Sequence, residues 1–134
     1  MLEYRIYEGK NNLEQNPVIF LIHGYGSNAD DLFSFSPYLP KTHSIISLQA
    51  PLRLASQSYA WYPLYPKEDG SFESNLELAF KAIGLLIENI DYLTNKYHIN
   101  TGDISLLGFS QGAILSWALA YGKPKKVRRV IALS

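Results

Sequence analysis

Three short apolar runs, at residues 18–22, 44–48 and 104–107, are rich in Val, Ile and Leu, and turn-forming residues lie close by. Runs of this length and composition read as strands buried on both faces. A fourth run over 127–133, with Val127, Val130, Ile131 and Leu133, reads as another strand. Residues 2–7 alternate weakly and suit an edge strand, and residues 9–17 have the Gly, Asn and Pro content of a turn. Between the strands the apolar period changes to that of helices. Ser74 stands three residues before Glu77, the spacing of a capping box, and Leu76, Phe80, Ile83, Ile87, Ile90 and Leu93 recur at intervals of three and four. This predicts an amphipathic helix to about Tyr97 whose stripe covers one face of a sheet. A second helix is predicted from Gln111 to Tyr121, with Gly122 as a left-handed cap and Pro124 as a stop. A third, from Asp30 to Tyr38, is ended by Pro40. Residues 51–71 show neither period and read as a long ordered loop carrying Trp61, Tyr62 and Tyr65 among prolines. Strands alternating with helices predict an α/β fold with a mostly parallel sheet, helices on both faces, and a single domain over 1–134.

Composition narrows the partners. With 134 residues, 47% hydrophobic and 18% charged, the chain has the make-up of a globular protein and not of a disordered one. Twelve basic and twelve acidic residues cancel, so no overall field attracts nucleic acid or an anionic membrane. Lys123, Lys125, Lys126, Arg128 and Arg129 do cluster, yet no aromatic residues are interleaved, and the run reads as a solvated helix-to-strand connection. The absence of cysteine excludes disulfides, thiolate nucleophiles and thiolate metal sites. The N-terminus carries charge where a secretory signal needs its apolar centre, and no run approaches the roughly 18 apolar residues of a membrane span. The expectation is a soluble, cytoplasmic protein without membrane insertion.

The chemistry concentrates in two glycine-rich turns. Gly108-Phe109-Ser110-Gln111-Gly112 lies directly after one predicted strand and at the start of a predicted helix. A serine in that setting occupies a sharp, strained strand-to-helix turn, and glycines two residues to either side avoid collision with the neighbouring strand and helix. The competing possibility is an ordinary turn whose serine caps the helix. His23-Gly24-Tyr25-Gly26-Ser27-Asn28 follows residues 18–22 in the same way. Its backbone N–H groups, with that of Gln111, can face the oxygen that becomes negative when a nucleophile attacks a carbonyl. Phosphate cradling is the rival use of such a turn, but neither G-x-G-x-x-G nor a P-loop lysine is present.

These segments, together with Leu48-Gln49-Ala50-Pro51 and Ala60-Trp61-Tyr62, resemble in order and spacing the phospholipase/carboxylesterase family of α/β-hydrolases, which includes the acyl-protein thioesterases. The resemblance implies a serine esterase or thioesterase that forms an acyl-enzyme at Ser110, with the N–H groups of Tyr25 and Gln111 as the oxyanion hole and no metal or cofactor. It further implies that His23 supports the oxyanion loop and that Trp61 and Tyr62 line the acyl pocket; the alternative for His23, at the carboxyl end of the neighbouring strand, is a substitute base, and the alternative for the aromatics is a packing cluster over the long helix. The triad order in this fold is Ser, then acid, then His. His23, His43 and His98 all precede Ser110. The chain therefore reads as the N-terminal part of such a hydrolase, inactive alone, with its acid and base expected beyond Ser134. Asp103 is read as shaping a turn. The alternative function is a non-catalytic module that binds ligands or self-associates, forming a homodimer through the edge of the strand over 127–133.

Overall fold

The computed structural model describes residues 1–134. In chain order the elements are β1 (Tyr4–Tyr7), β2 (Asn16–Ile22), α1 (Ala29–Phe33) with a 3-10 turn at Ser36–Tyr38, and β3 (Ser44–Leu48). Next come β4 (Leu52–Ala55), β5 (Ser58–Ala60), β6 (Leu64–Pro66) and β7 (Phe72–Ser74). The chain then forms α2 (Leu76–Lys96), β8 (Ile99–Phe109), α3 (Gln111–Gly122) and β9 (Arg129–Leu133).

The apolar runs assemble as one five-stranded sheet in the order β1-β3-β2-β8-β9, parallel except for β1, which pairs antiparallel with β3. Strand alternation divides the core. Val18, Phe20 and Ile22 of β2, Ile46 and Leu48 of β3, and Ile104 and Leu106 of β8 form the larger core with α2 and α3. Ile19, Leu21, Ile45 and Leu107 point the other way and pack with Leu32 of α1. Helices on both faces explain why the central strands are apolar throughout. The expected mostly parallel α/β architecture is thus present. None of its helices is long and apolar enough to cross a membrane.

Several expectations need correction. Residues 51–71 are not a loop without strands: β4 pairs with β5 and β6 with β7 as two small antiparallel hairpins. The long helix is capped by Asn75, whose side chain accepts from the N–H groups of Glu77 and Leu78. Ser74 lies one residue earlier, in β7, so it makes no capping box. Replacing Asn75 by alanine is expected to lower stability by about 1 kcal/mol, and replacing Ser74 by only a few tenths, in urea unfolding; the reverse ranking would return the cap to Ser74. The buried line of α2 is Ala82, Leu86, Ile90 and Leu93, while Leu76 and Phe80 are 70% and 68% exposed. The later part of the predicted stripe does face the core, since Ile90 and Leu93 are buried and Ile83 and Ile87 pack against it.

The third helix is shorter than expected, a five-residue α1 capped by Asn28 through Asp31 N–H and followed by the separate 3-10 turn. Gly122 is the last helical residue of α3 and is not left-handed; the only glycines with positive φ are Gly26 and Gly70. β8 begins earlier than its apolar run because Ile99 pairs with Asn16 before a register shift to Val18 and Ile104. Asp103 therefore lies within β8, where it pairs with Arg128 at 3.4 Å and Arg129 at 2.6 Å instead of shaping a turn. Lys126 pairs with Asp91, so three of the five clustered cations have acidic partners. β9, shorter than its run, pairs with β8 alone.

Candidate active site

The sheet delivers the two glycine turns to one place. β2 and β8 are parallel neighbours, so the loop after Ile22 and the turn after Phe109 emerge side by side at the carboxyl end of the sheet. At that turn Ser110 has φ 55° and ψ −115°, a conformation costly for a residue with a Cβ. Its neighbours enforce it. A Cβ on Gly108 would lie 2.3 Å from the Gly112 carbonyl oxygen, and one on Gly112 would lie 1.9 Å from that of Ile22. The first turn of α3 thus rests on the end of β2 with no side chain between them. Ser110 is exposed, and although it occupies the N-cap position its hydroxyl caps nothing. That sets aside the ordinary capping serine. Its backbone N–H donates to the Leu133 carbonyl of β9 at 2.8 Å, tying the turn to the adjacent strand.

Gly24 abuts this turn: a Cβ there would stand 2.9 Å from the Phe109 carbonyl oxygen and 3.0 Å from Ser110 Cβ. The loop is held from the far side by the β4–β5 hairpin. Gly26 N–H donates to the Tyr59 carbonyl and Tyr59 N–H donates to the Ser27 carbonyl, each at 2.8 Å. Asn28 donates to the Gln57 carbonyl at 2.8 Å. Gly26 has φ 85°, which needs glycine. Between these anchors the Tyr25 N–H has no acceptor within the chain, and neither has the Gln111 N–H at the start of α3. Two free donors flanking an exposed serine can hold a developing oxyanion.

His23 is fully buried beneath the loop. Its Nε2 accepts from Ala50 N–H at 3.0 Å, which places the ring proton on Nδ1, and Nδ1–H donates to the Gly24 carbonyl at 2.8 Å. A peptide group is planar and trans, so holding the Gly24 carbonyl also fixes the direction of the Tyr25 N–H on the opposite side of that plane. Burial pushes the His23 pKa below the ordinary imidazole value, opposed by the Gly24 hydrogen bond and by Asp31. Both ring nitrogens are engaged with backbone, which leaves none for the Ser110 proton. His43 and His98 immediately precede β3 and β8, at the amino end of the sheet, a strand length away from Ser110.

Trp61 and Tyr62 are 4% and 5% exposed and belong to the larger core. They are joined to the turn through Gln111, whose buried side-chain amide accepts from Trp61 N–H and donates to the Tyr62 carbonyl, both at 2.9 Å. Burial raises the Tyr62 pKa, partly offset by its contact with Gln111. The two aromatics also line a cavity of about 380 Å³ with Pro51, Leu52, Leu78 and Leu85. A different space, about 190 Å³, borders the turn itself and is lined by Gly24, Leu32, Phe35 and Phe109. Sequence reasoning missed Phe35 and Phe109 there, and the bracketing role of the Gln111 side chain. The only available signal was an amide beside the serine, too common to single out.

The sequence matches the phospholipase/carboxylesterase family over residues 4–134. It is similar to an uncharacterized hydrolase of Mycosarcoma maydis, 28% identical over 138 residues, which cover 90% of this chain and 50% of that protein. Among solved structures, the Bacillus cereus carboxylesterase superposes with a TM-score of 0.79 at 20% identity, covering 98% of this chain and 59% of that one. Esterase PE8 superposes with a TM-score of 0.80 at 22% identity, covering 96% and 61%. The chain spans about half the length of that curated protein and three fifths of these structures.

Proposed function

Because the chain belongs to the phospholipase/carboxylesterase family and has the α/β-hydrolase fold, we propose that it hydrolyses carboxylic esters or thioesters of small acyl substrates through an acyl-enzyme at Ser110. The observation that carries this reading is the strained, exposed Ser110 between the free N–H groups of Tyr25 and Gln111. Ser110 Oγ attacks the acyl carbon, and the carbonyl electron pair moves to oxygen, where the two N–H groups receive it. Collapse expels the alcohol or thiol and leaves the acyl group on Ser110. Water then attacks that ester and restores the hydroxyl. The serine proton needs a base and the leaving group an acid. None of the three histidines here is placed for this, so these residues alone are expected to react slowly, at the roughly 10³ to 10⁴ that an oxyanion hole retains without a triad.

Intact mass after incubation with a fluorophosphonate tests the reading. One adduct is expected on the folded chain, absent from Ser110→Ala and formed about a thousandfold more slowly on the urea-unfolded chain. No adduct, or one that survives in Ser110→Ala, would overturn it.

A further inference from the structure

We propose that Trp61 is a positioning residue that locks the two halves of the oxyanion site to each other, an inference that rests on the acyl-enzyme reading above. Its two N–H groups serve different elements. The main-chain N–H donates to Gln111 Oε1 at 2.9 Å, on the nucleophile side. The indole Nε1–H donates to the His23 carbonyl at 2.8 Å, on the loop side. Gln111 returns a bond from Nε2 to the Tyr62 carbonyl, so its amide grips residues 61 and 62 as a strand rung would. Every side chain in the connection is buried: Gln111 at 3%, Trp61 at 4% and His23 at 0%.

The consequence follows from peptide planarity. The His23 carbonyl shares a plane with the Gly24 N–H, and the Gly24 carbonyl shares the next plane with the Tyr25 N–H. The indole holds the first plane and the imidazole holds the second. The two rings lie 5.5 Å apart, so one braces the other. With both planes fixed, the Tyr25 N–H keeps its direction relative to the Gln111 N–H. Preorganised donors are effective because they need not reorient as charge develops. A pocket wall would act differently: it would change how tightly an acyl group is held and leave the step at Ser110 alone.

The test replaces the indole N–H while keeping the shape. Trp61→Phe removes the donor and retains the main-chain N–H; 3-benzothienylalanine at position 61, in a Trp117→Phe background, keeps the bicyclic outline with sulfur for N–H. The second substitution covers the case in which the first fails to fold. Phosphonylation of Ser110 is followed over a range of reagent concentration, and amide resonances are recorded by ¹⁵N NMR. The limiting rate is expected to fall about tenfold with an unchanged half-saturating concentration, while the Gly24 and Tyr25 amide signals move and those of α2 stay. An unchanged limiting rate, or a change confined to half-saturation, overturns the proposal. If the parent chain forms no Ser110 adduct, the acyl-enzyme reading fails, and the Gly24 and Tyr25 amides decide the locking role by themselves: unmoved signals overturn it.

Discussion

Replacing Gly112 by alanine is expected to cost about 3 kcal/mol of stability or more, and to remove Ser110 labelling in whatever fraction still folds. The new methyl would lie 1.9 Å from the Ile22 carbonyl oxygen, 2.6 Å from its carbonyl carbon and 2.7 Å from the His23 carbonyl oxygen. All three are backbone atoms at the end of a central strand, with Ile22 and His23 fully buried, so no flexible side chain can yield. Relief requires α3 to lift from β2. That lift carries the Gln111 N–H away from the Tyr25 N–H, so stability and reactivity fall together. Gly122, at the other end of the same helix, supplies the control: nothing stands within 4 Å of a Cβ there. Gly122→Ala should be neutral or stabilising by up to about 1 kcal/mol, through helix propensity alone. Urea unfolding of the two variants measures the contrast. Equal effects would mean that the close approach of α3 to β2 is not what requires glycine at position 112.

What could be read in advance divides by range. The Ser110 turn was legible because its requirements are local: a strand of Ile, Leu and Leu, a glycine where two backbones touch, a serine, a second glycine, then a helix. The same holds for the loop from His23 to Asn28, whose Asn28 caps α1. The hairpins over residues 52–74 were not legible. Their strands are three or four residues long and mostly exposed, so they carry no alternation, and Asp69-Gly70 marks only one of the turns. The start of α2 misled because Ser74 and Asn75 both suit an N-cap, and geometry selects between them. The contacts of Gln111 with Trp61 and Tyr62 span about fifty residues of chain, and no periodicity encodes such a pairing. Trp61, read from resemblance as pocket lining, is buried in the larger core, and its indole N–H donates to the His23 carbonyl, a pairing across 38 residues that no local pattern marks.

His23→Ala is expected to cost about 3 kcal/mol or more and to flatten the stability of the protein between pH 7.5 and 5.5. The first effect has two sources. Removing a fully buried ring leaves a cavity, and it leaves the Gly24 carbonyl and Ala50 N–H without their partners at 2.8 and 3.0 Å. The second follows from the direction of the pKa shift. Burial lowers the folded-state pKa of His23 below the ordinary value of 6.5. Above 6.5 the ring is neutral in both states and stability does not depend on it. As pH falls below 6.5 the unfolded chain takes up the proton first, so the folded state loses stability until its own lowered pKa is reached. Protonated Nε2 no longer accepts from Ala50 N–H, whereas Nδ1–H keeps its bond to the Gly24 carbonyl, so the proton costs the fold its Ala50 contact and leaves the hold on the Gly24–Tyr25 peptide in place. Urea unfolding of both proteins at the two pH values checks this. If the parent loses no more stability on acidification than His23→Ala does, the neutral buried ring is not the group that titrates. If Ser110 labelling in the variant also keeps its full rate, the Gly24–Tyr25 peptide plane is held by something other than His23.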